Sequence, residues 1–164
     1  MNYIGLDEKE LEPVGNILNE LLSTYSVYYQ NLRSFHWYVH GNNFFEIHQV
    51  FEDLYNDAKV KIDDIAERIL TINQKPFASM SEYIKNSRIK ESKDMLSDED
   101  MASVILGNHS VLIKIMRETL VKASAANDEG TIDIIGGFLS SIEKKTWMLD
   151  AWKSRRTAGF FSKS

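Results

Sequence analysis

Two histidines and three carboxylates stand at helical intervals in one stretch of this chain: His36, His48, Glu52, Asp63 and Glu67. Imidazole nitrogen and carboxylate oxygen together form a donor set that iron and related divalent metals accept. His48 and Glu52 are four residues apart, as are Asp63 and Glu67, so each pair occupies one face of a helix. From His48 to Asp63 the helix rises about 22 Å, so no single ion is held by both pairs of one straight helix. The angular offset is only about 60°, and the two pairs face broadly the same way. Two copies packed antiparallel about a two-fold axis would bring the early pair of one to the late pair of the other. That arrangement makes two equivalent metal sites per dimer, each completed by both subunits.

The elements that must position these groups are helices. Leu11, Val14, Leu18, Leu21, Tyr25, Tyr28, Leu32 and Phe35 recur at three- and four-residue steps, and so do Ile47, Phe51, Leu54, Ala58, Ile62, Ile65 and Ile69. A third stripe runs through Met101, Ile105, Leu112, Ile115 and Leu120, and a fourth through Ile135, Phe138, Ile142, Leu149 and Trp152. Asp7 with Glu10, Asn43 with Glu46 and Ser97 with Asp100 each resemble a capping box at a helix start. Pro13 lies near the first turn of the first helix, where a missing N–H costs least. Gly41-Asn42 ends the first hairpin, and Asn127 to Gly130 marks the last turn. Pro76 falls in a longer connection, in which Ser79 to Ser87 is expected to form a short helix. The expectation is an all-α, ferritin-like four-helix bundle over residues 1–164, with a short extra helix in the long crossover between its second and third helices. Gly136 and Gly137, inside the fourth helix, suggest close helix or subunit approach.

The chain of 164 residues suits one domain, and it contains no cysteine, which excludes disulfides and thiolate metal sites. A reducing, cytoplasmic setting fits that composition. The first residues lack the basic and apolar regions of a signal peptide, and no stretch has the apolar length of a membrane span. A net charge of −5 argues against nucleic-acid binding by bulk positive charge.

Each candidate ligand has a plainer alternative. A lone histidine is more often satisfied by a backbone carbonyl in a core than by a metal. Asp63 and Glu67 stand among Lys59, Lys61, Asp64 and Arg68, where ordinary solvated acids are common; Glu52 beside Phe51 is equally compatible with an exposed acid. The joint pattern carries more weight than any member. An intra-bundle di-iron site normally draws on Glu-x-x-His from two helices, and this chain has no such tetrapeptide. The third and fourth helices offer only His109, Glu118 and Glu143, so an inter-subunit site is the reading that stands.

The string Phe35-His36-Trp37-x-Val39-x-Gly41-x-x-Phe44-x-x-x-His48, followed by Glu52 and by Asp63-x-x-x-Glu67-Arg68, resembles the Dps-like mini-ferritins. Glu143-Lys144-x-x-Trp147-Met148-Leu149 resembles that family's last helix, and the likeness covers almost the whole chain. It implies a hollow dodecamer with ferroxidase centres at two-fold interfaces, where His36 and His48 face Asp63 and Glu67 of the partner subunit. Iron would be oxidised there, with hydrogen peroxide or dioxygen as oxidant, and stored as ferric mineral. Glu52 stands where the family commonly has aspartate; one extra methylene would shift the second iron position or change its affinity. Trp37 would lie beside the centre and absorb stray oxidising equivalents, or else serve as an ordinary packed aromatic at a subunit contact.

The resemblance also places Asp128 and Asp133 at acidic pores on three-fold axes, where carboxylate rings concentrate cations. The alternative for Asp128 is capping of the last helix. Some family members bind DNA through lysine-rich N-terminal tails. Here Lys9 is surrounded by Asp7, Glu8, Glu10 and Glu12, which repel phosphate. Lys153, Arg155 and Arg156, with Lys163, form a basic patch that either touches nucleic acid or complements the negative end of the last helix. Against the ferroxidase stand two alternatives: a DNA-compacting protein with a vestigial metal site, and a metal-free adaptor bundle.

Overall fold

The computed structural model describes residues 3–93 and 96–154. Among them five helices follow one another: α1 (Glu8–Tyr38), α2 (Phe44–Thr71), α3 (Met80–Asn86), α4 (Asp98–Ala125) and α5 (Glu129–Lys153). The four long ones form the expected bundle, and the seven-residue α3 is the short helix expected in the crossover. The apolar stripes face one another inside, where Leu18, Leu32, Phe51, Ile65, Ile105 and Leu112 have no exposed surface. The main chains approach closely between α1 and α2, α4 and α5, and α1 and α4. On the fourth side α2 and α5 meet through long side chains: Lys61 reaches Ser141, Lys145 reaches Asp57, and Arg68 reaches Asp128.

The helix starts differ in detail from the sequence expectation. At Ser97 the hydroxyl accepts from the Asp100 N–H and donates to its carboxylate. Asp7 caps α1 by accepting from the Lys9 N–H, not through a reciprocal pair with Glu10. Asn43 makes no side-chain cap; its amide donates to Asp98 at 3.0 Å and ties the start of α2 to the start of α4. A complete capping box stands at α3, between Ser79 and Glu82. Because α1 begins at Glu8, Pro13 falls in its second turn, on an exposed face. No helix among the described residues is long and apolar enough to cross a membrane.

Two buried asparagines of α1 hold the long crossover in place. Asn19 donates to the Lys75 carbonyl and accepts from the Phe77 N–H. Twelve residues on, Asn31 repeats the device with the Lys90 carbonyl and the Ser92 N–H. Buried asparagine side chains need such partners, since an unpaired polar group costs about 1–3 kcal/mol. Arg88 then bridges Glu20 of α1 and Glu118 of α4, which accounts for Glu118. Gly136 and Gly137 have no neighbour within 4 Å of where a Cβ would stand, so close approach within the protomer is not their reason.

Candidate metal centre

The α1–α2 hairpin assembles the first part of the site. Gly41, at φ +108°, turns the chain in a conformation that side-chain-bearing residues rarely adopt. Phe35, Val39, Ile47, Phe51 and Leu54 are buried on the two sides of this turn and clamp the helix ends together. His36 and His48, each next to a buried residue, therefore emerge on one seam. Their rings stack with centroids 3.7 Å apart. The Nδ1 of His36 donates to the His48 carbonyl at 3.0 Å, and the Nδ1 of His48 donates to the His36 carbonyl at 2.9 Å. A carbonyl only accepts, so each Nδ1 carries the hydrogen and each Nε2 keeps a free lone pair.

Glu52 lies one turn beyond His48. It offers a carboxylate oxygen so placed that this atom and one nitrogen from each histidine lie within 4.8 Å of one another. Among the described residues this is the group that can hold a metal ion, and its nitrogen–oxygen donor set suits a divalent transition metal. Tyr55, which the sequence reading passed over, completes the cluster: its hydroxyl donates to Glu52 at 3.4 Å and its ring meets His36 edge-on at 5.3 Å. Partial burial and the Glu52 charge push its phenol above the ordinary range, which keeps it a donor. The i, i+3 spacing from Glu52 was the available signal.

The remaining candidates lie elsewhere. Asp63 and Glu67 are exposed on α2, beyond the reach of the histidine cluster of their own protomer. Trp37 follows His36 but points outward, with the Arg33 guanidinium 4.8 Å from its ring. Asp133 is exposed on the first turns of α5. Asp128 is not: it is fully buried, accepts from the Thr131 N–H and hydroxyl, and pairs with Arg68. A carboxylate with no exposed surface offers nothing to a passing cation, so in this protomer Asp128 is the cap of α5 and not a pore residue. Of the basic patch, Lys153 is exposed at the end of α5, while Arg155, Arg156 and Lys163 lie outside the described residues.

A family model for the Ferritin-like domain matches residues 15–156. A DNA protection during starvation protein of Porphyromonas gingivalis is 38% identical over 155 residues, covering 94% of this chain and 98% of the relative. The chain belongs to the Dps-like mini-ferritins. A solved structure of the Dps protein from Vibrio cholerae O1, described as a member of a broad superfamily of ferritin-like diiron-carboxylate proteins, superimposes on it with a TM-score of 0.91. The two are 39% identical, over 94% of this chain and 97% of the other. The Dps structure from Bacillus brevis gives a TM-score of 0.87 at 33% identity, covering 89% and 98%.

In this mini-ferritin the described titratable groups in the middle of the bundle are engaged with one another. His109 is enclosed, with Tyr28 at 2.7 Å from Nε2 and Thr146 at 2.9 Å from Nδ1. Burial, and then the nearby Lys145 and Lys61 charges, bring its pKa down to about 3, so the ring is neutral. Lys61, which the sequence reading placed among solvated charges, is only 5% exposed. Its ammonium pairs with Asp57, which also receives Lys145 at 2.7 Å. Burial pulls the Lys61 ammonium down, partly offset by Asp57; burial would raise Asp57, but its two lysine partners outweigh that and hold it low. Glu143 is engaged at the surface by Arg117. The interior thus carries a cation-rich ion cluster, a poor host for a divalent metal.

Proposed function

We propose that this mini-ferritin is a ferroxidase and iron store whose metal sites are shared between two subunits. The observation that carries this reading is the half-finished cluster of His36, His48 and Glu52. Three convergent donors come from the α1–α2 hairpin, while Asp63 and Glu67 stand on the same helix about 22 Å of rise from His48. An antiparallel α2–α2 contact about a two-fold axis brings Asp63 and Glu67 of the partner subunit to the histidines and repeats the site by symmetry.

In such a site the two Nε2 atoms and the carboxylates bind Fe2+ as substrate. The carboxylates offset the charge gained on oxidation to Fe3+. With hydrogen peroxide as oxidant, two Fe2+ each give up one electron and the O–O bond is reduced to two hydroxide equivalents, so no hydroxyl radical is released. Ferric product then hydrolyses and is stored as mineral in the hollow of a homo-oligomer, a dodecamer in the family this chain resembles. Protection follows from consuming iron and peroxide together. No DNA contact is needed, and the acidic start of α1 gives phosphate nothing to hold.

Complementation tests the shared site. Protomers carrying His36→Ala with His48→Ala are mixed, by co-refolding, with protomers carrying Asp63→Ala with Glu67→Ala. Each mixed dimer regains one intact site, so iron oxidation should return to roughly one quarter of the unaltered rate if pairing is random. A mixture as inactive as its two parents would sink the proposal. Peroxide and dioxygen are separated by following ferric absorbance after Fe2+ addition with either oxidant alone.

A further inference from the structure

Each imidazole of the cluster has a second partner that fixes it: the ring of His36 is tied to the His48 carbonyl, and the ring of His48 to the His36 carbonyl. Glu52 sits on a flexible side chain and has no such backbone tie. Its hydrogen-bond partner among the described residues is the Tyr55 hydroxyl, at 3.4 Å from Oε1. The same phenol ring stands edge-on to His36, 5.3 Å away at 84°, and is itself braced edge-on by Tyr29 at 6.0 Å. One side chain thus touches two of the three donors that converge here.

We infer that Tyr55 is a positioning residue of the metal site, acting through Glu52; this rests on the proposed metal-binding function. The hydroxyl engages Oε1 and so restricts how the Glu52 carboxylate turns, while one of its oxygens stands within 4.8 Å of a nitrogen of each histidine. A glutamate carries one more rotatable bond than an aspartate, and a hydrogen bond to one oxygen removes part of that freedom before a metal arrives. Partners of this kind hold a ligand's orientation, and their loss typically costs 10–100-fold in metal affinity. A packing role for the ring alone predicts no such loss, because phenylalanine keeps the ring.

The test is Co2+ titration of the assembled full chain, followed by calorimetry and by the visible d–d absorption of the bound ion. The unaltered chain is compared with Tyr55→Phe, Glu52→Ala and the double variant, all checked for helicity and size. Weakening by about 10-fold in Tyr55→Phe, an altered absorption envelope, and a double variant no worse than Glu52→Ala support the assignment. Tyr55→Phe binding like the unaltered chain, or losses that simply add in the double variant, overturn it. Absence of Co2+ binding by the unaltered chain would instead bring down the metal-site reading itself, and the assignment with it.

Discussion

His36 and His48 hold each other: each ring donates from Nδ1 to the main-chain carbonyl of the other residue, at 3.0 and 2.9 Å, and the two rings stack. The pairing sets both tautomers before any metal binds and leaves both Nε2 lone pairs free. Loss of either imidazole removes a proposed ligand and one of the two ties. His48→Ala should slow initial iron oxidation at least about 10-fold while the helical content is retained. His40→Ala serves as the control, since His40 is exposed and its Nδ1 bonds the Tyr38 carbonyl two residues away. Ultraviolet absorbance on Fe2+ addition reads both, and equal rates in the two variants would count against the pair.

The ion cluster between α2 and α5 predicts an asymmetry in stability. Asp57 accepts from both Lys61 and Lys145, so its removal leaves a nearly buried ammonium without its paired carboxylate. Asp57→Ala should cost about 3–5 kcal/mol, whereas Lys61→Met, which leaves Asp57 paired with Lys145 and fills the space with apolar atoms, should change stability far less. Chemical denaturation of the two variants decides it; equal losses would mean that the cluster is not balanced as described.

Gly130 lies where α5 begins against α2. A Cβ there would stand 2.8 Å from the Arg68 guanidinium nitrogens, the same group that pairs with buried Asp128. Gly130→Ala should therefore push Arg68 aside and lower the melting temperature, although alanine is the better helix former by about 1 kcal/mol. Asp128→Ala should be worse, because it removes the α5 cap as well as the ion pair, with a loss of about 3 kcal/mol or more. Thermal unfolding of the two variants is the check.

His109 gives stability a pH dependence on the acid side. Its folded pKa of about 3 lies below the ordinary value of 6.5, so the unfolded chain binds the proton more readily. This contribution to stability is fully present above the unfolded value and is lost progressively as pH falls from 6.5 toward about 3, by up to about 1.4 kcal/mol per pH unit. His109→Gln removes this titration. Its stability relative to the unaltered chain should rise as pH is lowered through that window, measured by denaturation at a series of pH values. A difference that does not vary with pH would contradict the buried neutral imidazole.

Much of the fold was legible because its causes are local. Apolar residues at helical spacing gave the four long helices, and Gly41 and Asn127, both at positive φ, stand at turns read from residue type. The histidine and carboxylate spacing marked candidate ligands, and the hairpin brings three of them, His36, His48 and Glu52, together. Capping was less legible, since Asn43 had a distant acid to choose, Asp98, over its own helix. The burial of Lys61 and Asp128 was not legible for a related reason: charged types look solvated in a sequence, and only their ion-pair partners make burial tolerable, although capping by Asp128 was one of its two readings.

Residue order along single helices thus fixed the bundle, the two candidate ligand pairs and the distance that keeps them apart within one chain. Which charges are enclosed, which tyrosine grips Glu52, and whether Asp128 faces solvent were decided when α1, α2, α4 and α5 packed together. The division follows from range: periodicity and turn chemistry act over a few residues, whereas desolvation and ion pairing depend on neighbours that the chain order does not name.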